Sequence, residues 1–591
     1  STKCSSWPSW SWLLGIDMVM MLAVTAFLAV RLASAGPPQA LSAICTDTSA
    51  APGSCRLVQG AAAKGASAWA VFEDTVAERG FASLRVTGSS GKDDKEMAFA
   101  AGVVEGALTA TRTAQHFNTS FASEFGASGG DPSTWKVAHE FLSDNDKYVR
   151  AQIGVQAETS AYWKQVALVW AQLDGLIEGH RLAGLSLGGP PVAALDRIAF
   201  LFVNALVDLS SVVDKPFVHR NGALPTDVHE WTAADAASFV DRTTHCSALV
   251  KVTADYSELF TAHNTWTGFF TMLRVAKLYD LPFRGAAARK AAFPGYFGTL
   301  SSNDDLFVLS SGLVVQETTN AVFPPRKEMR TPKSVLTWAR TIVANRVAQD
   351  GRSWTEWFAK ENSGTINNQW MVVDYNKFVP YQPLPDGTLW VLEQLPSYIQ
   401  SADLTSYLRQ GHWPSFNIPF FLEVQNLSGN ADMERRFGLS HSYELNPRAK
   451  IFRRDAPKVE TREQLHTFLR YNDWRNDPLS AAGYGGPTEP RSPENAIAAR
   501  SDLIPKDAQV KEQLALRGAF GNTDAKAVGR EDVLKMRFDF VVGPTTDDQV
   551  PFAWSGDWAH LAHEGQPTTF DFKWESVSFE GLGGGEEWLV V

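Results

Sequence analysis

The chain has 591 residues, of which 44% are hydrophobic and 20% charged, with 54 Lys and Arg against 65 Asp and Glu for a net charge of -11. That composition buries a large core and excludes disordered and collagen-like classes. The acidic balance, without a long basic run, argues against a nucleic-acid partner.

Lys3 precedes an apolar run over residues 18–30 that ends at Ala33-Ser34-Ala35-Gly36, the pattern of a signal peptide spanning 1–35. Asp17 and Arg31 bound a run shorter than the roughly 20 residues that cross a bilayer, so an uncleaved anchor is the weaker alternative. Two sequons, at Asn118 and Asn426, fit a glycoprotein of the endomembrane lumen, lysosomal or secreted. Cys45 and Cys55 are close enough to pair, which leaves Cys246 alone in the mature chain. Such a thiol is either a buried small hydrophobe or a group in chemical use.

Residues 95–184 show helical spacing, as in Met97, Ala101, Val104 and Leu108, so the part before Cys246 reads as mostly α. The apolar stretch 198–213 carries Asn204 and Asp208 and reads as a buried helix. From Cys246 onward short β-branched runs predict strands at 247–252, 306–309, 313–315, 371–373 and 389–392. A helix is predicted over 333–348, with Pro332 at its start. Gly188 to Pro191 and Gly483 to Pro490 read as surface loops. The mixture without βαβ alternation predicts an α+β layered architecture. Three segments result: the leader, an α-rich part 36–245, and a part 246–591 with most of the sheet core.

Cys246 stands at the head of the predicted strand 247–252. If 254–257 turn the chain and 259–266 return antiparallel, Cys246 faces Thr265, and His263 and Trp266 flank the thiol. A thiol with an unperturbed pKa of about 8.5 needs assistance to act as a nucleophile. Cleavage between His245 and Cys246 would supply it, because the freed α-amine, of unperturbed pKa about 8, can serve as the base beside its own side chain.

The motifs Cys246-Ser247-Ala248-Leu249, Ala262-His263-Asn264-Thr265-Trp266, Glu317-Thr318-Thr319, Asn367-Asn368-Gln369-Trp370, Leu392-Glu393-Gln394, Asn417-Ile418-Pro419, Asn446-Pro447-Arg448-Ala449, Tyr471-Asn472-Asp473 and Glu494-Asn495-Ala496-Ile497 resemble, in order, those of the phospholipase B-like (lamina ancestor) family. The resemblance spans residues 69–567 and implies a four-layer αββα N-terminal-nucleophile hydrolase sandwich with a helical N-terminal portion. It further implies self-cleavage before Cys246, with the first fragment retained as a partner. By motif, Cys246 resembles the nucleophile, Asn417 an oxyanion donor, Arg448 a cation near the amine, and His263, Trp266 and Thr319 the surroundings. Each of the last five also has a plain reading as a buried packing or hydrogen-bonding residue. The implied substrate is a lipid acyl ester, with an N-acyl amide and a catalytically weak lipid-binding glycoprotein as alternatives. Transient contact with a membrane surface would accompany a lipid substrate, and no cofactor is required. His560 and His563 have the spacing of one helical face, but without a third donor they do not make a metal site. The loop 479–490 lacks the cysteines that relatives often carry there, and the tail 568–591 matches no motif of the family.

Overall fold

The structure is a computed structural model that describes residues 38–48, 50–126, 132–186, 192–213, 227–232, 235, 236, 239, 246–303, 306–323, 330–481, 490–506 and 517–582. The predicted leader, His245, the loop 188–191 and most of 483–490 lie outside the described residues.

The strands are β1 (Gln39–Cys45), β2 (Cys55–Gln59), β3 (Ala68–Glu73), β4 (Phe81–Gly88), β5 (Ser247–Val252), β6 (Leu259–Gly268), β7 (Arg274–Asp280), β8 (Lys290–Tyr296), β9 (Leu306–Leu309), β10 (Leu313–Thr319), β11 (Asn368–Asp374), β12 (Leu389–Leu395), β13 (Tyr398–Asp403), β14 (His412–Ser415), β15 (Phe520–Val528), β16 (Phe538–Val542), β17 (Phe552–Ala553), β18 (Thr569–Phe570) and β19 (Glu575–Val577). Among the described residues they build an 11-stranded sheet in the order β13-β12-β11-β10-β9-β8-β7-β4-β3-β1-β2, a six-stranded sheet ordered β14-β5-β6-β15-β16-β19, and a two-stranded sheet of β17 and β18.

Strand alternation explains how the sheets stack. Ala248, Val250 and Val252 of β5 enter an apolar layer with Ala276, Leu278, Val308, Val314, Met371 and Val373 of the large sheet. Leu249 points the other way, into a layer with Ala525 and Ala527 and the helical residues Ile451, Phe452, Leu465 and Leu469. On its outer face the large sheet buries Val275, Val315, Trp370 and Val372 against Phe99, Val103 and Val104. The order of layers is therefore helix, sheet, sheet, helix, an α+β sandwich.

The outer helix Asp94–Leu108 starts where the Asp93 carboxylate accepts from Lys95 N and Glu96 N. It packs against Ala161–Ser186 so closely that a Cβ on Gly102 would meet Gln172 O, and one on Gly175 would meet Phe99 O. Glycine is required there by backbone approach, not by φ. No helix among the described residues is long and apolar enough to cross a membrane.

The part before Cys246 is rich in helix and also supplies β1 to β4 to the large sheet. Strand β4 pairs in parallel with β7 from Phe81↔Arg274 to Thr87↔Asp280, so residues on both sides of Cys246 share one ladder. The helix expected over 333–348 is Thr337–Val347. Its start is delayed because Asn145 Nδ2 donates to Pro332 O and Ser334 O, while Asp208 accepts from Thr337 N and Trp338 N. His560 and His563 share no helical face, for the chain there is turn, and the His563 ring stacks on Trp554 at 4.7 Å.

Candidate active site

Strands β5 and β6 pair with Ser247 opposite Asn264 and Ala248 opposite His263, the register expected from the turn between them. Cys246 precedes the first ladder pair, fully buried, with φ at 88°. A non-glycine residue in that region is strained, at a cost on the order of 1–3 kcal/mol. Arg448 Nη1 donates to the Cys246 carbonyl at 2.8 Å and to Ser247 Oγ at 3.3 Å. The half-buried guanidinium lies 4.2 Å from the centre of the Trp266 ring, a cation–π contact that fixes its plane. Asn446-Pro447 makes this placement local: Asn446 caps Pro447–Asp455 by accepting from Ala449 N, and Arg448 follows in the first turn.

The hairpin is anchored from behind. Trp266 Nε1 donates to Ile497 O at 3.2 Å, and Asn264 Nδ2 to Ile497 O at 3.1 Å and Leu469 O at 2.6 Å. Asn472 in turn donates to Pro493 O and Ala498 O, so the motifs at 471–473 and 494–497 form one clamp.

Beneath the hairpin runs a buried charged chain that sequence reasoning missed. Arg274, Asp524 and Lys526 are each fully buried, and Asp524 takes Arg274 on one oxygen and Lys526 on the other. Lys526 also donates to Thr265 Oγ1 and, at 3.1 Å, to His263 Nδ1. An ammonium only donates, so Nδ1 accepts and the proton of the neutral ring sits on Nε2, which donates to Glu317 O at 2.9 Å. Both ring nitrogens are thereby engaged. The available signal was the alternation Asp524-Ala525-Lys526-Ala527, charges at every second place of an apolar strand.

Strand β9 pairs with β10 as far as Gln316, and Glu317 follows. Sγ of Cys246, a ring nitrogen of His263 and a carboxylate oxygen of Glu317 all lie within 4.8 Å of one another. Thiol, imidazole and carboxylate are donors a soft divalent cation accepts. The hydrogen bonds at both nitrogens of His263, one from an ammonium, do not suit that use.

Thr319 ends the same strand, and its carbonyl accepts from Asn417 Nδ2 at 2.7 Å. Asn417 is buried with φ at 71°. The loop after Asn417 is held by Glu393, whose carboxylate accepts from Phe420 N at 2.6 Å, Phe421 N at 3.1 Å and Gln369 Nε2 at 2.7 Å. Burial pushes this carboxyl up to about 7 despite those three donors.

The other singled-out residues lie away from this cluster. Cys45 and Cys55 are disulfide-bonded across β1 and β2. Asn118 is exposed and donates to Glu564, and Asn426 is exposed on Leu422–Ser428.

Comparison with known proteins agrees in extent with these elements. The family model described as Phospholipase B matches residues 68–577. The chain is similar to phospholipase B-like protein A of Dictyostelium discoideum, at 34% identity over 87% of this chain and 88% of that protein. It is likewise similar to phospholipase-B 81 of Drysdalia coronoides, 31% identical over 86% of this chain and 88% of that protein. Putative phospholipase B-like 2 of Rattus norvegicus is 34% identical over 86% of this chain and 85% of that protein.

Proposed function

From the premise that this chain belongs to the phospholipase B-like family, we propose that it is a lipid acyl hydrolase that cuts itself before Cys246 and then uses that residue as its nucleophile. The observation that carries the reading is the placement of Cys246: a buried thiol at a strand head, in strained backbone, with its carbonyl held by Arg448.

The strain belongs to the bond that would be cut. Once the peptide bond before Cys246 is gone, the φ restraint goes with it, and a cost on the order of 1–3 kcal/mol is relieved. Arg448 and the β5 ladder keep the residue in place afterwards. The free α-amine then takes the thiol proton, and the thiolate attacks the ester carbonyl of a glycerophospholipid. The side-chain amide of Asn417 is the donor assigned to the developing oxyanion. Collapse expels the alcohol, which takes the proton held by the amine, and water, deprotonated by the amine so restored, clears the thioester as a free fatty acid while the thiolate recovers its proton. The Cys45–Cys55 disulfide supports a lumenal or secreted setting, where such bonds persist.

The test follows purified wild type and Cys246→Ala at acidic pH by intact mass and N-terminal sequencing. Fatty acid released from phosphatidylcholine and from an N-acyl ethanolamine is measured beside them. A new terminus at Cys246 and ester release in wild type alone support the proposal. A wild-type chain that stays whole, or equal release by Cys246→Ala, refutes it.

A further inference from the structure

Self-cleavage poses a problem that the mature site does not have. Before the cut, the nitrogen of Cys246 is a peptide amide and cannot accept a proton, so another group must take the one on the thiol. His263 has both ring nitrogens engaged, by Lys526 and by the Glu317 carbonyl. The guanidinium of Arg448 and the ammonium of Lys526 have no lone pair to offer.

We propose that the Glu317 carboxylate is the base for maturation, taking the proton of Cys246 Sγ when the chain cuts itself. This rests on the reading of Cys246 as a self-cleaving nucleophile. Glu317 is fully buried, and its carboxylate belongs to the group of atoms within 4.8 Å that includes the thiol. Arg274, Asp524 and Lys526 bring two cations and one anion into the interior, and Lys526 donates to the same His263 ring that faces the thiol and the Glu317 carboxylate. The His263 hydrogen bond to its backbone carbonyl sets where the side chain begins.

The proton moves from Sγ to a Glu317 oxygen, and the thiolate attacks the carbonyl carbon of His245, placing the electron pair on the oxygen. Collapse breaks the carbon–nitrogen bond, and the departing nitrogen recovers the proton from Glu317. A thioester and an α-amine result. Water then hydrolyses the thioester, returning the thiol and leaving a carboxylate on residue 245. One peptide bond and one water are consumed, and Glu317 ends as it began, with the amine available for later turnovers.

The experiment uses the full chain as wild type, Glu317→Gln and Glu317→Asp, each incubated from pH 3.5 to 7. The appearance of the Cys246 terminus is timed by intact mass, and thermal midpoints are recorded alongside. Glu317→Gln is expected to cut ~10²-fold slower or more and to lose the acid limb of the wild-type rate profile. Glu317→Asp is expected to cut slowly with a displaced acid limb. A Glu317→Gln chain that cuts at the wild-type rate with an unchanged profile overturns this proposal while leaving self-cleavage intact. If Glu317→Gln does not accumulate folded, Glu317→Asp decides: an unshifted limb at the wild-type rate overturns the proposal. A wild-type chain that never opens before Cys246 overturns both readings together.

Discussion

Glu393 ties the pH response of the fold to the loop that carries Asn417. Its carboxyl rises from an ordinary value near 4.5 to about 7 because it is buried. The folded state therefore holds this proton to higher pH than the unfolded chain does. Between about pH 4.5 and 7 the native state binds more protons, so stability falls as pH rises through that window. The contribution is complete below the unfolded value and lost above the folded one. A rise from near 4.5 to about 7 corresponds to about 3 kcal/mol in all, most of which falls between pH 5 and 7.5. Glu393→Gln removes the titration and sets an amide donor among three N–H donors, at a pH-independent cost of about 1–3 kcal/mol. Urea unfolding followed by tryptophan fluorescence at both pH values reads the difference. Wild type should exceed the variant most at pH 5, with the gap shrinking by about 2–3 kcal/mol at pH 7.5. A gap that stays constant across the two pH values would refute the assignment of a raised carboxyl to Glu393.

Three further outcomes follow from contacts around the core. Arg448→Ala releases the Cys246 carbonyl and should lower fatty-acid release on the order of 10²-fold without moving the thermal midpoint by more than a few degrees; a thermal shift beside the lipid assay checks it. Gly175→Ala drives a methyl into Phe99 O, and a loss of about 1–3 kcal/mol or more should appear as reduced folded yield. Because β4 pairs with β7, the two fragments left by cleavage should elute together in size-exclusion chromatography and separate only in denaturant.

The sequence carried the hairpin and its cysteine because both are local: a turn of fixed length sets the register of β5 and β6, and the short spacing of Cys45 and Cys55 sets Cys246 apart from that pair. It carried the helices 95–184 for the same reason, through spacing. What it hid is made by pairing between distant residues. Strands β1 and β3 contain Ala40, Ser42, Ala43, Ala68 and Ala70, small residues with weak strand preference. They are strands because they pair with each other and lie under Asp94–Leu108. Asp208 caps a helix about 130 residues onward, which no local capping rule reveals.

The site divides along the same line. Cys246, Trp266 and Arg448 sit beside punctuation visible in the chain, a strand head or an Asn-Pro cap. Lys526 reaches His263 across 263 positions of sequence, and that single contact changes what His263 can do. His263, three places before Trp266 and beside the candidate nucleophile, meets an ammonium at Nδ1 and a carbonyl at Nε2. Glu317 stood within a motif already conspicuous in the sequence, yet nothing local separates a structural glutamate from one beside the thiol. Only the meeting of the two sheets, β10 from one and β5 with β6 from the other, makes the carboxylate a chemical neighbour of Cys246.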